Sequence, residues 1–134
     1  MAEDLIRRYF AAFNAGDLEA MLDCLADDVV HDVNQGERRH GKAAFRTFLG
    51  HMARCYAETV DDLVVMTAPD GARAAAEFRV HGRYLATDDG LPEARGQTYT
   101  LPAGTFFAIR DGRIARVTTT YNLRDWQRQV GGGG

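Results

Sequence analysis

The segment Arg7–Asp32, RRYFAAFNAGDLEAMLDCLADDVVHD, constrains this chain more than any other. Leu5, Ile6, Tyr9, Phe10 and Phe13 recur at helical spacing and predict an amphipathic helix. Gly16 supplies the left-handed residue that ends it. Asp17 can cap a second helix, with Glu19 favoured in its first turn. Leu18, Met21, Leu22 and Leu25 form the second apolar stripe, Asp27-Asp28 breaks it, and Val29–Val33 reads as a short strand. The break Asn14-Ala15-Gly16-Asp17 therefore angles two apolar stripes over one sheet. The first strand of that sheet carries an acid/base pair, His31-Asp32.

The remaining chain supplies the sheet. Asn34–Arg39 is polar, contains Gly36, and reads as a loop or a brief edge strand. Gly41 precedes a third helix with the stripe Phe45, Phe48, Leu49, Met52, Cys55 and Tyr56. The period then changes. Thr59–Thr67 is β-rich, Pro69-Asp70-Gly71 turns, and Arg73–Leu85 is a long strand. Ala86–Arg95 is a loop, and Gln97–Arg110 and Arg113–Tyr121 are strands joined by the hairpin signal Asp111-Gly112. Asn122–Val130 can form one or two helical turns around Leu123 and Trp126. Helices followed by hairpins predict an α+β fold, with three helices packed on one face of a strongly curved, mostly antiparallel sheet. A single domain is expected over residues 1–130, with a flexible glycine tail at 131–134. A curved sheet cannot seal flush against its helices, and the gap is the default ligand site.

Composition narrows the function. The net charge of -3 offers no basic excess for phosphates, so nucleic acid is not an expected partner. No apolar run approaches the about 20 residues that a membrane span needs. Met1-Ala2-Glu3-Asp4 is acidic where a signal peptide is positive, so a cytoplasmic protein is expected. Cys24 and Cys55 fall on apolar helical positions and read as small core hydrophobes rather than a disulfide. The chain has no serine, which excludes serine-nucleophile hydrolases, and its one lysine, Lys42, opens a helix, away from Schiff-base chemistry. There is no GxGxxG, Walker loop, CxxC or HExxH. His31, Asp32, His40, His51 and His81 share no close ligand spacing beyond the divergent pair His31-Asp32, so neither a metal nor another cofactor is expected.

Three segments carry a resemblance: RRYFAAFNAGDLEAMLDCLADDVV, GKAAFRTFL and FFAIRDGRIARVTTTYN. Together they resemble the ketosteroid isomerase/SnoaL-like polyketide cyclase family of the nuclear-transport-factor-2-like (NTF2-like) superfamily. The resemblance implies a cone-shaped domain with one apolar pocket. In ketosteroid isomerases a first-helix tyrosine and a protonated aspartic acid hold the developing enolate oxygen while a second aspartate moves the proton. Tyr9 matches that tyrosine, and Asp32 lies near the proton-moving aspartate across a one-residue gap. Gly104-Thr105-Phe106-Phe107 stands where the oxyanion acid would be, leaving Thr105 as a donor. SnoaL-type cyclases use an aspartate after the last strand, and Thr120-Tyr121-Asn122 occupies that region here.

Neighbouring strand residues face opposite ways, so either His31 or Asp32 points into the pocket. Within Arg79–Tyr84, alternation sets Val80, Gly82 and Tyr84 against Arg79, His81 and Arg83. Gly82 allows a bend or a close approach. The expected function is proton transfer next to the carbonyl of a small apolar molecule, by isomerisation or cyclisation. Asp32 or His31 is the expected base and Tyr9 the oxyanion donor. Tyr56, His81, Tyr84, Thr105, Tyr121 and Asn122 are the expected binding groups. A homodimer through the open sheet face is expected, since Thr118, Thr119 and Thr120 offer half-polar strand surface. The alternative is a non-catalytic binding or dimeric assembly module of the same fold.

Overall fold

A computed structural model describes residues 1–34 and 36–131. Gly132 to Gly134 of the expected glycine tail lie outside the described residues. In chain order the elements are α1 (Ala2–Ala15), α2 (Leu18–Asp23), β1 (Leu25–Asp32), β2 (Arg38–His40) and α3 (Lys42–Cys55), then β3 (Tyr56–Thr67), β4 (Arg73–Tyr84), β5 (Thr98–Arg110), β6 (Arg113–Tyr121) and α4 (Leu123–Gly131). One six-stranded sheet runs β2-β1-β6-β5-β4-β3. Every pairing is antiparallel except β1 with β6. This is the expected α+β, mostly antiparallel architecture, with a fourth helix added at the C-terminus.

The opening segment folds as its residues dictate. Gly16 is left-handed at φ 69, and Asp17 accepts from the Ala20 amide at 3.1 Å. The second helix stops earlier than its stripe, because Leu25 pairs with Ile114 and belongs to β1. Asn14 locks the break in place: its amide donates to the Val60 carbonyl at 3.0 Å and its oxygen accepts from the Val60 amide at 2.8 Å. Val60 lies on β3, an edge strand, so Asn14 occupies backbone groups that would otherwise be free for edge pairing.

Bulges bend the sheet. Between Asp61 and Val64 the pairing of β3 with β4 slips, and Asp62 takes φ 53. The extra residue reverses the alternation. Tyr56, Glu58 and Val60 face the helices before the bulge, whereas Leu63 and Val65 face them after it. Val64 and Met66 are thereby turned outward, each about half exposed at 49% and 48%. Asp111 and Gly112 both have positive φ, 53 and 72, as a two-residue hairpin of mirror-image type requires.

The interior is divided. The main core joins α1, α2 and α3 to the middle of the sheet through Ile6, Phe10, Leu22, Leu25, Phe45, Phe78, Phe107 and Ile114. A second cluster of Tyr84, Tyr99, Leu101, Trp126 and Val130 lies under α4. Gln129 docks α4 on β5, donating to the Thr100 carbonyl at 2.9 Å and accepting from its amide at 3.0 Å. The functional geometry lies at the border of the two clusters.

Candidate functional site on the concave face

Three strands supply the site. On β3, Glu58 pairs with Gly82 of β4, and Gly82 pairs with Tyr99 of β5. The Tyr99 ring lies flat over Gly82 and reaches across β4 to Glu58. A Cβ at position 82 would overlap that ring. The Tyr99 hydroxyl donates to Glu58 Oε2 at 2.5 Å. Trp126 packs edge-on against Tyr99 with ring centroids 5.9 Å apart.

Burial pushes the Glu58 carboxyl above the usual carboxylate range, and the Tyr99 hydrogen bond only partly offsets it. Glu58 still keeps some accessible surface. Glu58 is thus largely desolvated without being sealed off. Tyr121, at the end of β6, lies near it. Its phenol is raised by burial first and by the Glu58 charge second, so the two groups sense each other. The Asn34 oxygen accepts from the Tyr121 amide at 3.2 Å. Asn34 Nδ2 is aimed at the Tyr121 hydroxyl, a contact that lowers that phenol against the larger effect of burial.

His31 completes the inner face. In the parallel register it matches Val117, whereas Asp32 matches Thr118. Only His31 therefore points toward the helices. It is 5% exposed and packs on Phe45 and Phe48 at 4.4 and 4.6 Å between ring centroids. Burial, aided by the Arg39 charge, lowers its pKa to about 4, so the ring is neutral near pH 7. Among the described residues its Nδ1 is buried without a hydrogen-bond partner. Such an atom costs about 1–3 kcal/mol.

The other expected groups lie elsewhere. Asp32 is on the outer sheet face, held by Arg38 at 2.6 and 3.0 Å and by the Thr118 hydroxyl at 2.7 Å. These contacts lower its carboxyl to about 2. His81 is also on the outer face, against Asp61 at 2.9 Å and Thr100 at 3.3 Å. Tyr9 lies in the main core, edge-on to Phe10 and Phe107 at 5.4 and 5.8 Å, with its phenol raised by burial. Thr105 is buried on β5, its hydroxyl 3.3 Å from that of Thr119. Asn122 caps α4 by accepting from the Asp125 amide at 3.1 Å. The Tyr84 hydroxyl donates to the Pro92 carbonyl at 2.7 Å and accepts from the Asp88 amide at 2.9 Å, which fixes the loop after β4. Tyr56 stacks on Tyr84 at 5.4 Å and donates to Asp88 at 2.8 Å, tying β3 to the loop after β4.

Tyr56 and Tyr121 are thus brought near Glu58, Tyr99, Asn34 and Trp126, which sequence reasoning missed, whereas His31 packs instead on Phe45 and Phe48. One signal was available. The alternation Tyr56-x-Glu58-x-Val60 places an acid among apolar neighbours on the inward face of a strand. Among the described residues, no helix is long and apolar enough to cross a membrane.

The profile of the SnoaL-like domain family matches residues 6–117. The chain belongs to the SnoaL-like domain family. Among solved structures it is similar to a provisionally named polyketide cyclase from Pseudomonas putida, with 61% identity, a TM-score of 0.96, and coverage of 97% of this chain and 98% of that one. A second protein given the same provisional name, from Silicibacter sp., shares 59% identity at TM-score 0.95, covering 96% and 94% of the two chains. A third, from Xanthomonas campestris, shares 53% identity at TM-score 0.93 with 96% and 95% covered. No functionally curated protein matches the chain. SnoaL-like and nuclear-transport-factor-2-like neighbours agree with the fold expected from the sequence.

Proposed function

We propose that this SnoaL-like protein binds a small apolar carbonyl compound on its concave face and moves a proton beside the carbonyl, with Glu58 as the base. The observation that carries this reading is the largely buried Glu58 carboxyl, raised by burial and approached at 2.5 Å by the Tyr99 hydroxyl. A base with a pKa moved toward neutrality both accepts and returns a proton efficiently. In the first step ionised Glu58 takes a proton from the carbon next to the carbonyl, and the C–H electron pair moves into the developing enolate. The Tyr121 hydroxyl and the Asn34 amide then donate to the enolate oxygen. Where a C=C bond adjoins that carbon, protonated Glu58 returns its proton to the far carbon of the resulting dienolate for isomerisation. For cyclisation the enolate carbon attacks a second carbonyl of the same molecule, whose π pair moves to oxygen, and Glu58 protonates the alkoxide so formed. Phe48, Leu101 and Trp126 supply apolar walls that exclude water.

This reading moves the base from Asp32 to Glu58, for a physical reason. Asp32 is saturated by Arg38 and Thr118, and a carboxyl held near 2 is a poor proton acceptor at neutral pH. The names of the similar structures are in keeping with cyclase chemistry. Trp126, the chain's one tryptophan, packs on Tyr99 and so reports on the surroundings of Glu58. Titration with a panel of cyclic ketones and diketones should quench or shift its fluorescence, and Glu58→Gln should bind the same compounds without converting them. Binding with no conversion by the unaltered protein would favour the non-catalytic module.

The second part of the proposal is a homodimer through the outer sheet face. Val64, Met66 and Phe106 are exposed there at 49%, 48% and 50%. Glu77 and the arginines Arg73 and Arg79 frame them on the same face, so two copies related by a two-fold axis can pair opposite charges around an apolar centre.

A further inference from the structure

A second donor cluster lies at the C-terminal end of α3. His51 and Cys55 are one helical turn apart and project to the same side. The loop after β4 brings Asp88 against them. His51 Nε2 is 2.8 Å from Asp88 Oδ1 and 3.9 Å from Cys55 Sγ, and all three donor atoms lie within 4.8 Å of one another. The expectation of no metal site rested on spacing between histidines and aspartates, with Cys55 read as core. The contact between a helix and a distant loop has no sequence spacing to betray it.

The arrangement is not that of a nucleophilic triad. A triad uses opposite nitrogens of the imidazole, one toward the thiol and one toward the carboxylate. Here a single nitrogen, Nε2, faces both groups. One nitrogen, one sulfur and one carboxylate oxygen converging on one point is the geometry of chelation. With metal–sulfur bonds of about 2.3 Å and metal–nitrogen bonds of about 2.0 Å, tetrahedral ligands stand roughly 3.4–3.6 Å apart. The observed separations bracket that range, so small side-chain rotations suffice.

The cluster is also built rather than accidental. The Leu85 amide donates to the Cys55 carbonyl at 2.7 Å, and the Asp88 amide donates to the Tyr84 hydroxyl at 2.9 Å. The Tyr56 hydroxyl holds the other Asp88 oxygen at 2.8 Å. This outer bond orients the carboxylate and leaves Oδ1 toward His51, as a ligand's supporting shell does. Cys55 is 4% exposed, while His51 and Asp88 keep enough surface to admit an ion. We propose that His51, Cys55 and Asp88 form a site for a divalent cation of the zinc class, with a fourth position open to water or an added ligand. The mixed sulfur, nitrogen and oxygen set selects zinc-like ions over calcium or magnesium, which prefer oxygen alone. Arg54 Nη2 lies 3.4 Å from His51 Nδ1. Coordination at Nε2 moves the ring proton to Nδ1, and the exposed Arg54 side chain swings aside.

The test uses Zn2+ and Co2+ on the full chain. After incubation with excess Zn2+ and removal of free metal, elemental analysis should find one equivalent retained. Co2+ should give a thiolate-to-metal charge-transfer band. His51→Gln and Asp88→Asn, at partly exposed positions, should each weaken binding at least tenfold while keeping the far-ultraviolet circular dichroism of the unaltered protein. Cys55→Ser should abolish the band. No retained zinc, no charge-transfer band, or a band unchanged in all three variants would overturn the site.

Discussion

The Tyr99 ring crosses the backbone of Gly82 to bring its hydroxyl within 2.5 Å of Glu58, two strands away. Three consecutive strands are thus tied by one side chain that only a glycine beneath it permits. The bridge packs an aromatic wall over β4 and aims a donor at a desolvated carboxyl. Gly82→Ala should displace the ring and cost about 1–3 kcal/mol, the usual penalty of overpacking. Urea unfolding measures the loss. The double variant Gly82→Ala, Tyr99→Ala should be less than additive, because the clash disappears with the ring.

Removing the hydroxyl alone isolates its electrostatic part. The Tyr99 bond lowers the Glu58 carboxyl against the larger opposing effect of burial. Tyr99→Phe should therefore raise that carboxyl further. The pH at which proton-transfer activity appears should move upward, and a pH–rate profile checks the direction.

His31 makes stability depend on pH. Its folded pKa is about 4, below the usual 6.5. The unfolded chain thus binds a proton that the folded chain refuses. Stability is fully present above pH 6.5 and falls as pH drops toward 4, by at most about 3 kcal/mol for that shift. Asp32 adds loss in the same direction at lower pH, as acid protonates a carboxylate held near 2. Glu58 acts with the opposite sign, because its folded carboxyl is raised. Urea midpoints measured from pH 4 to 7 should show the His31 slope, and His31→Phe should flatten it.

Much of this architecture was legible in the residues. The glycine stop and aspartate cap at Gly16-Asp17, the hairpin at Asp111-Gly112 and the long strands all follow from local chemistry, and the structure forms them there. Leu25 was misplaced because an apolar residue fits either a helix stripe or a strand, and only its pairing with Ile114 decides. The choice between His31 and Asp32 was narrowed to one inward residue, and the register against β6 selects His31. Glu58 was only half legible, since alternation marks an inward acid on its strand but nothing more. Its importance comes from Tyr99, which is distant in sequence, and no local pattern encodes a side chain that spans an intervening strand.

Asn14 offers a test of how the opening turn anchors the sheet. Its two bonds to Val60 join the end of α1 to an edge strand. Asn14→Ala leaves both Val60 backbone groups unpaired and should cost about 1–3 kcal/mol in chemical denaturation. Exposing that edge should also raise the tendency to aggregate.

The outer sheet face predicts oligomeric state. Sizing chromatography with light scattering should give a dimer, and Phe106→Arg or Met66→Glu should convert it to monomer without loss of helical signal. A monomeric unaltered protein would remove the dimer from this account.

The most direct test follows deuterium exchange by NMR at the carbon beside the carbonyl of a small cyclic ketone in D2O. The protein should accelerate exchange, with a rate that rises with pH as the Glu58 carboxyl ionises. Glu58→Gln should reduce the rate by about 100-fold or more, the usual contribution of a positioned base, while Asp32→Asn keeps most of it. Exchange that survives Glu58→Gln, or that is lost with Asp32→Asn instead, would contradict the assignment of Glu58 as the group that moves the proton.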